Sequence, residues 1–198
     1  MPTTPEPSGG DRPGPRPLRA DAQRNRERLL EAAYLAFAQE GLGVSVHEIA
    51  RRAGVSSGTL SRHFPTKDDL YRAIVHDRVR RLVEQARELR DTMTGAEAFF
   101  GFFEVMADAT ASDRGLADAL AGAGFDVESA AAGTGHDVIG ALAGLLSEAQ
   151  ESGAVGADID VADVKALIAA CSGRGTDDPE ARRRMIRVAS DGLRASVR

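Results

Sequence analysis

The sequence has few cysteine and histidine residues, which nucleophilic catalysis and zinc sites often use. It contains one cysteine, Cys171, and no tryptophan among its 198 residues. A single cysteine excludes an internal disulfide framework and is typical of a chain that works in a reducing compartment. No pair of histidines has the HExxH spacing of a zinc site; the four are His47, His63, His76 and His136. We therefore expect no metal, no cofactor and no enzymatic activity.

Long apolar runs are missing as well. No segment approaches the roughly 20 apolar residues that a membrane-spanning helix needs. The N-terminus lacks the apolar stretch of a signal peptide. We therefore expect a cytoplasmic protein that is associated with the nucleoid when it binds DNA, and no membrane partner.

Proline is scarce except at the N-terminus, where residues 1–18 hold six of the eight prolines and three glycines. Neither residue type favours a helix or a packed strand, so we expect residues 1–18 to form a disordered tail. Two interpretations of the tail stay open. It is either an unstructured leader or a basic arm that lies along a DNA backbone or minor groove. The arginines that would extend it along DNA are Arg12, Arg16, Arg19 and Arg24.

Charge is divided unevenly along the chain, whose formal net charge is −5. Residues 16–90 carry a net charge of +5, whereas residues 91–198 carry −9. A basic N-terminal part before an acidic remainder favours a DNA-binding domain joined to a separate regulatory body. Scattered solvated charge is the alternative, but the basic part coincides with the motif at residues 45–67.

The most informative stretch is SVHEIARRAGVSSGTLSRHFPTK, residues 45–67. Ser45 followed by Glu48 predicts a capping box at a helix start. Gly54 predicts a sharp turn, because a residue without Cβ enters the left-handed region at little cost. Ser56 or Ser57 can then cap a second, short helix. Helix, tight turn and short polar helix form the helix-turn-helix arrangement, whose second helix enters the DNA major groove.

Chemistry separates the roles within the second helix. Leu60 and Phe64 are expected in the core, because a short helix needs apolar anchors. Arg62 is the side chain best suited to take guanine bidentately, whereas hydroxyl groups discriminate bases poorly. Gly58 allows close approach to the DNA backbone. The candidates for contact with base edges are Ser57, Thr59, Ser61 and Arg62.

Residues 26–75 resemble the DNA-binding domain of TetR-family transcriptional regulators. The matching pieces are LLEAAYLAFAQEG and VHEIARRAGVSSGTLSRHFPTKDDLYRAIV, in the family's order and spacing. The family usually has tyrosine where this chain has Ser61. The resemblance implies that His63, Ser45 and Lys67 meet DNA phosphates, although His63 as a capping or core residue stays an alternative. The complete predicted DNA-binding set is Ser45, Ser56, Ser57, Gly58, Thr59, Ser61, Arg62, His63 and Lys67.

Helical spacing of apolar residues predicts an all-α fold. A three-helix DNA-binding domain spans residues 19–66, with its first helix at 21–40. A helical ligand-binding and dimerisation body spans 67–198 and resembles the SbtR-like subgroup. Within the body we expect a connecting helix at 67–92, a separate short helix around Leu116 and Leu120, a helix from Val138 that ends at Gly153, and two final helices at 161–172 and 179–195.

Two apolar clusters in the body are candidate sites. Four phenylalanines between positions 99 and 103 line either an effector pocket or an ordinary core. The predicted pocket set is Phe99, Phe102, Phe103, Met106, Leu120, Phe125 and Leu142. The last two helices carry stripes that the family uses for dimerisation, with packing inside the monomer as the alternative. The predicted dimer set is Leu167, Ile168, Cys171, Met185, Ile186, Ala189 and Leu193.

Three functions are consistent with these patterns. The first is a homodimeric repressor that leaves a palindromic double-stranded DNA operator when a small apolar effector binds. The second is a DNA-binding regulator without a small-molecule ligand. The third is a helical ligand-binding or interaction protein that has lost the ability to read DNA. Only Ser61, which stands where the family usually has tyrosine, supports this alternative.

Overall fold

A computed structural model describes residues 16–173 and 178–195 of the chain. Within these ranges the fold is entirely helical, apart from one isolated bridge between Val155 and Arg194. None of the described helices has the length and apolar character needed to cross a bilayer. The prediction of an all-α fold is confirmed. The helices are α1 (Arg16–Glu40), α2 (Val46–Ala53), α3 (Ser57–His63), α4 (Lys67–Thr92), α5 (Gly95–Gly122), α6 (Val127–Ala132), α7 (Val138–Glu151), α8 (Val161–Gly173) and α9 (Pro179–Leu193).

The first helix begins earlier than the sequence predicts. It starts at Arg16, so residues 16–18 of the expected disordered tail are helical. Pro17 lies in the first turn, where a helix has no partner for the backbone N–H and the missing donor therefore costs little. The prediction of a disordered tail is wrong for these three residues. Residues 1–15, including Arg12, lie outside the described residues.

One long helix replaces the arrangement expected after position 95. Helix α5 continues unbroken to Gly122, so Leu116 and Leu120 belong to its last turns rather than to a separate short helix. Alanine is frequent between these leucines and the phenylalanines, and it has the strongest helix propensity, which explains the continuity. The short helix α6 has no counterpart among the predicted elements. Helix α4 begins with a complete capping box, which Thr66 and Asp69 form.

Two hydrophobic cores hold the helices together. The first lies beneath the helix-turn-helix and joins α1, α2 and α3 to the first half of α4 and the last turns of α5. The second fills the body and joins the second half of α4 and the first half of α5 to α7, α8 and α9. The first core therefore crosses the expected boundary at residues 66 and 67. Its α4 members are Leu70, Tyr71, Ala73, Ile74 and Val75.

A polar contact reinforces this shared core where the DNA-binding domain meets the body. The Tyr34 hydroxyl of α1 donates a hydrogen bond to the Asp113 carboxylate of α5 at 2.8 Å. Arg78 of α4 binds the same carboxylate at 3.0 and 3.1 Å and stacks its guanidinium 4.5 Å from the centre of the Tyr34 ring. Three helices therefore meet at one small cluster, which we call the junction cluster (Tyr34, Arg78 and Asp113).

Removal of the Tyr34 hydroxyl should weaken this junction measurably. Burial, followed by the hydrogen bond to Asp113, raises the pKa of Tyr34 to about 12 from its ordinary value of 10. The folded state thus holds the proton more tightly, so the stabilisation is complete below pH 10 and is lost as pH rises from 10 to 12. We expect Tyr34→Phe to unfold in urea with a free energy lower by about 1 kcal/mol at pH 7.

The same variant should lose less stability than the wild type between pH 10 and 12. Tyr71, whose pKa burial also raises, remains in both proteins and acts as the internal reference. Equal losses of unfolding free energy in the two proteins over this pH range would contradict the assignment to Tyr34.

Candidate DNA-binding site

Two residues fix the ends of α2. The Ser45 hydroxyl accepts a hydrogen bond from the backbone N–H of Glu48 at 3.2 Å, as a helix cap should. At the other end Gly54 has a φ of +69°, in the left-handed region. Its N–H donates to the Arg51 carbonyl at 3.2 Å, and Val55 donates to the Ala50 carbonyl at 3.0 Å. The predicted cap and the predicted glycine turn are both confirmed.

Only half of the expected capping box forms at α2. Instead of returning to Ser45, the Glu48 carboxylate accepts hydrogen bonds from Arg51 at 2.7 and 2.8 Å and from Arg52 at 2.8 Å. Arg52 also pairs with Glu40 of α1. The hydrogen bonds from Arg51, then Arg52, lower the pKa of Glu48 to about 2. Arginine outcompetes the backbone here because a charged donor makes the stronger hydrogen bond.

The start of α3 is held by hydroxyl groups. Ser56, rather than Ser57, is the cap, and its side chain accepts from the Thr59 N–H at 3.2 Å. The Ser57 hydroxyl lies 2.9 Å from Nδ1 of His47 on α2. The sequence predicts no role for His47. Its partner lies on another helix, so the periodicity of a single helix gives no signal for this pair.

The buried side of α3 determines which residues it presents outward. Leu60 and Phe64 are 1% and 5% exposed, and the guanidinium of Arg26 lies 5.8 Å from the Phe64 ring centre. Successive residues of a helix are rotated by about 100°, so Gly58 and Arg62 lie opposite Leu60. Ser61 is exposed beside them. We call this exposed side the reading face; it consists of Gly58, Ser61 and Arg62.

The two sides of α3 differ in how their polar groups are used. Ser57 and Thr59 are half-buried and engaged with His47 and Ser56 respectively. Ser61 and Arg62, in contrast, have exposed side chains without a hydrogen bond or ion pair to any described residue. The hydrogen-bond donors of the reading face are therefore available to an external partner. This arrangement suits base-edge recognition in a major groove.

The residues expected to meet phosphates lie around this face. Ser45, His63 and Lys67 are all exposed. His63 is therefore not a core histidine, although its ring lies 6.1 Å from that of Phe64. Lys67 donates one of its three ammonium protons to the Leu42 carbonyl at 3.2 Å, which anchors the side chain and leaves two donors.

The structure does not bring the seven predicted pocket residues together. Five of them belong to or pack against the second core, where the three phenylalanines and Leu142 have no exposed surface. Leu120 and Phe125 pack in the first core instead. A cavity of about 160 Å³ does lie between α4, α5 and α6, and Leu120 lines it. No group of three His, Cys, Asp or Glu residues that could hold a metal occurs among the described residues.

Much of the predicted dimer set packs inside the subunit. Four members are buried against the body: Ile168, Cys171, Ile186 and Leu193. Burial raises the pKa of the Cys171 thiol. Leu167, Met185 and Ala189 are half-buried. The outer side of α9 instead presents Val188, which is 68% exposed.

Comparison with known families supports the interpretation of both parts of the chain. Residues 29–74 match the model of bacterial regulatory proteins of the tetR family. Residues 94–195 match the C-terminal domain of SbtR-like transcriptional regulators. The chain belongs to the TetR family of transcriptional regulators. Regulators of this family bind DNA operators and act as dimers.

Solved structures of TetR-family proteins extend the match over nearly the whole chain. A TetR transcription regulatory protein from Mycobacterium vanbaalenii is 50% identical, with a TM-score of 0.77 over 90% of this chain and 100% of that one. A TetR regulator from Streptomyces coelicolor is 31% identical, with a TM-score of 0.75 over 87% and 99%. A curated HTH-type transcriptional regulator from Staphylococcus aureus is 35% identical over 75 residues, which are 37% of this chain and 40% of that protein. The alignment thus spans less than half of that curated relative.

Two glycine substitutions should test the turn between α2 and α3. An added Cβ at Gly54 would touch no other atom, so its cost comes from the positive φ alone. We expect Gly54→Ala to lower the free energy of unfolding in urea by about 1 kcal/mol or more.

Gly115, which also has open space around it but lies inside α5, is the matched control. Gly115→Ala should raise the free energy by about 1 kcal/mol, because alanine is the better helix former. If both variants were stabilised, the turn would not depend on the left-handed conformation.

Proposed function

We propose that this TetR-family regulator is a homodimeric repressor, which binds a palindromic operator and is released from it by a small-molecule effector. The observation that carries the proposal is the reading face of α3. Its polar side chains lack partners within the described residues, whereas Leu60 and Phe64 hold the opposite side in the core. A rigid helix with free donors on one side is what base recognition requires.

The surroundings of α3 support binding to a phosphate backbone. Lys67 is anchored by the Leu42 carbonyl, and its remaining ammonium donors are exposed. The Glu48 carboxylate, in contrast, is paired with Arg51 and Arg52. Because this pairing partly neutralises the two arginines, α2 contributes less to non-specific attraction of DNA than its sequence suggests. Specificity then rests mainly on Arg62, with the smaller Ser61 leaving room beside it.

Dimerisation follows from the size of the reading element. One helix of seven residues buries too little surface for useful specificity, whereas two copies related by a twofold axis read two half-sites. The outer sides of α8 and α9 suit a subunit interface, since they present Val188 and several alanines. Of the residues predicted for the interface, Leu167, Met185 and Ala189 are the ones partly accessible to a partner.

An effector site is supported by the cavity between α4, α5 and α6. Helix α4 lines the cavity and also begins directly after the reading helix. A ligand there would therefore act on the helix that joins the two parts. A regulator without an effector is the second candidate, and it is favoured by the compact packing of the phenylalanines predicted to line a pocket. Loss of DNA reading is disfavoured, because Ser61 is exposed on an intact reading face.

The location proposed for the protein is the cytoplasm, where it would be bound to the nucleoid through its operator. This follows from the proposed partner, double-stranded DNA, and from the unpaired cysteine, which is buried.

Replacement of Arg62 should reduce sequence discrimination. We expect Arg62→Ala to bind its operator about 10- to 100-fold more weakly, with a loss of about 1–3 kcal/mol at particular base pairs and little change on random duplex. Fluorescence anisotropy with single-base operator variants measures both quantities.

Arg87→Ala is the matched control, since Arg87 is an exposed arginine on α4 in the body. It changes the net charge by the same amount and should leave discrimination unchanged. An equal loss on all sequences in Arg62→Ala would make Arg62 a backbone contact.

Replacement of Lys67 should act on all DNA alike. Lys67→Ala removes one phosphate contact, so operator and random duplex should both bind more weakly, and the slope of log affinity against log salt should fall by about 1. Lys165→Ala removes the other lysine, which lies exposed on α8, and should change neither quantity. An unaltered slope in Lys67→Ala would refute the phosphate role.

A charge on the outer side of α9 should separate the subunits. We expect Val188→Asp to sediment as a monomer under conditions in which the wild type is a dimer, because it places a carboxylate in an apolar contact. Ile139→Asp on α7, where the side chain is 42% exposed, should remain a dimer. The opposite pattern would place the interface on α7.

A further inference from the structure

The cavity between α4, α5 and α6 has walls of two kinds. Nine of its eleven lining side chains are hydrocarbon, and the other two are Arg78 and Asp113. Its volume of about 160 Å³ is close to that of an apolar protein cavity that holds benzene, about 150 Å³. The cavity therefore has room for one ring or a short branched chain. Its polar hydrogen-bonding groups lie at one position only among the lining residues.

That polar position is the junction cluster. The Asp113 carboxylate accepts hydrogen bonds from Tyr34 at 2.8 Å and from Arg78 at 3.0 and 3.1 Å. Arg78 uses two of its five N–H donors on Asp113. A ligand hydroxyl that takes the place of the Tyr34 hydroxyl can therefore donate to Asp113 and accept from a remaining donor of Arg78.

The charges of the cluster exclude an ionic ligand. Arg78 and Asp113 neutralise each other at hydrogen-bond distance. A charged ligand would lose its hydration without meeting an unpaired opposite charge, and burial of such a group is costly. A neutral ligand does not carry this cost.

We infer that this cavity binds a small neutral molecule with a hydrocarbon skeleton and one hydroxyl group, and that the hydroxyl competes with Tyr34 for Asp113. This inference rests on the proposed function, since it names the class of effector and its means of action. The released Tyr34 hydroxyl turns to solvent, and α1 loses its polar link to α5. The DNA-binding domain is then held to the body by the apolar core, by the hydrogen bond from Lys67 to the Leu42 carbonyl, and by the Arg81–Glu31 pair, whose atoms lie 3.2 Å apart.

Arg78 and Leu82 also line a second cavity of about 380 Å³ between α4 and α5, whose walls include Arg81, Gln85 and Ser112. Both cavities are open to solvent on one side, so a ligand reaches the apolar walls directly. A neutral hydroxyl compound enters such a cavity without loss of charge solvation.

The probe for this site is 4-fluorophenol, with fluorobenzene as the matched compound that lacks the hydroxyl. Fluorine NMR titration of the full-length chain without DNA should show saturable binding of 4-fluorophenol, and fluorobenzene should bind about fivefold more weakly. Ala117→Met should reduce 4-fluorophenol binding about tenfold or more, because the larger side chain fills the cavity. Ala131→Met fills it from α6 and should act in the same way.

Ala119→Met makes the same change two residues away on α5, outside the lining of this cavity, and should leave the probe's affinity unchanged. Circular dichroism confirms that each variant is folded. No saturable binding to the wild type, or equal binding to the filled variants, would overturn the site. Equal affinity for both compounds would overturn the role of Asp113.

The coupling to DNA is measured separately with an operator obtained by selection. Saturating 4-fluorophenol should weaken operator binding about fivefold, and the operator should weaken 4-fluorophenol binding by the same factor, because coupling is reciprocal. Tyr34→Phe should bind the operator about fivefold more weakly without the probe and show no further response to it. Probe binding without a change in operator affinity would reject the switch, whereas failure of the wild type to bind any operator would reject the proposed function instead.

Discussion

The structure depends on the burial of the inner side of α3. A helix of seven residues is not stable alone, since isolated helices shorter than about 12 residues are only marginally stable in water. The side chains of Leu60 and Phe64 are almost completely removed from water. Their burial stabilises the folded state by about 2 kcal/mol each and so holds the helix in place. Because these two anchors fix the rotation of α3, they also determine that Arg62 faces outward. Core packing thus determines which side of α3 is available for the proposed DNA recognition.

The core that holds α3 does not end at the DNA-binding domain. It includes the first half of α4 and the last turns of α5 and reaches α6. A change in the packing of these body helices is therefore a change in the support of the reading helix. The junction cluster adds directional polar contacts at the same place. The proposed DNA recognition and the proposed regulation would therefore depend on the same packed helices.

Much of this organisation could be predicted from the sequence, because it rests on local rules. The cap at Ser45, the turn at Gly54 and the capping box of α4 each depend on residues a few positions apart. Features that depend on contacts between helices could not be predicted. The pairing of Glu48 with two arginines replaced half of a capping box, and the seven expected pocket residues divide between two cores. The junction cluster joins residues 79 positions apart, so no local pattern indicates it.

The most direct test of the account is selection of bound duplexes from a random DNA library by the wild-type chain, at moderate salt. Two identical reading faces related by a twofold axis predict an enriched palindrome whose half-sites are centred about one helical turn, or a multiple of it, apart. A guanine is expected within each half-site, opposite Arg62. Recovery of unenriched sequences, bound only through charge, would contradict the claim that this protein reads DNA.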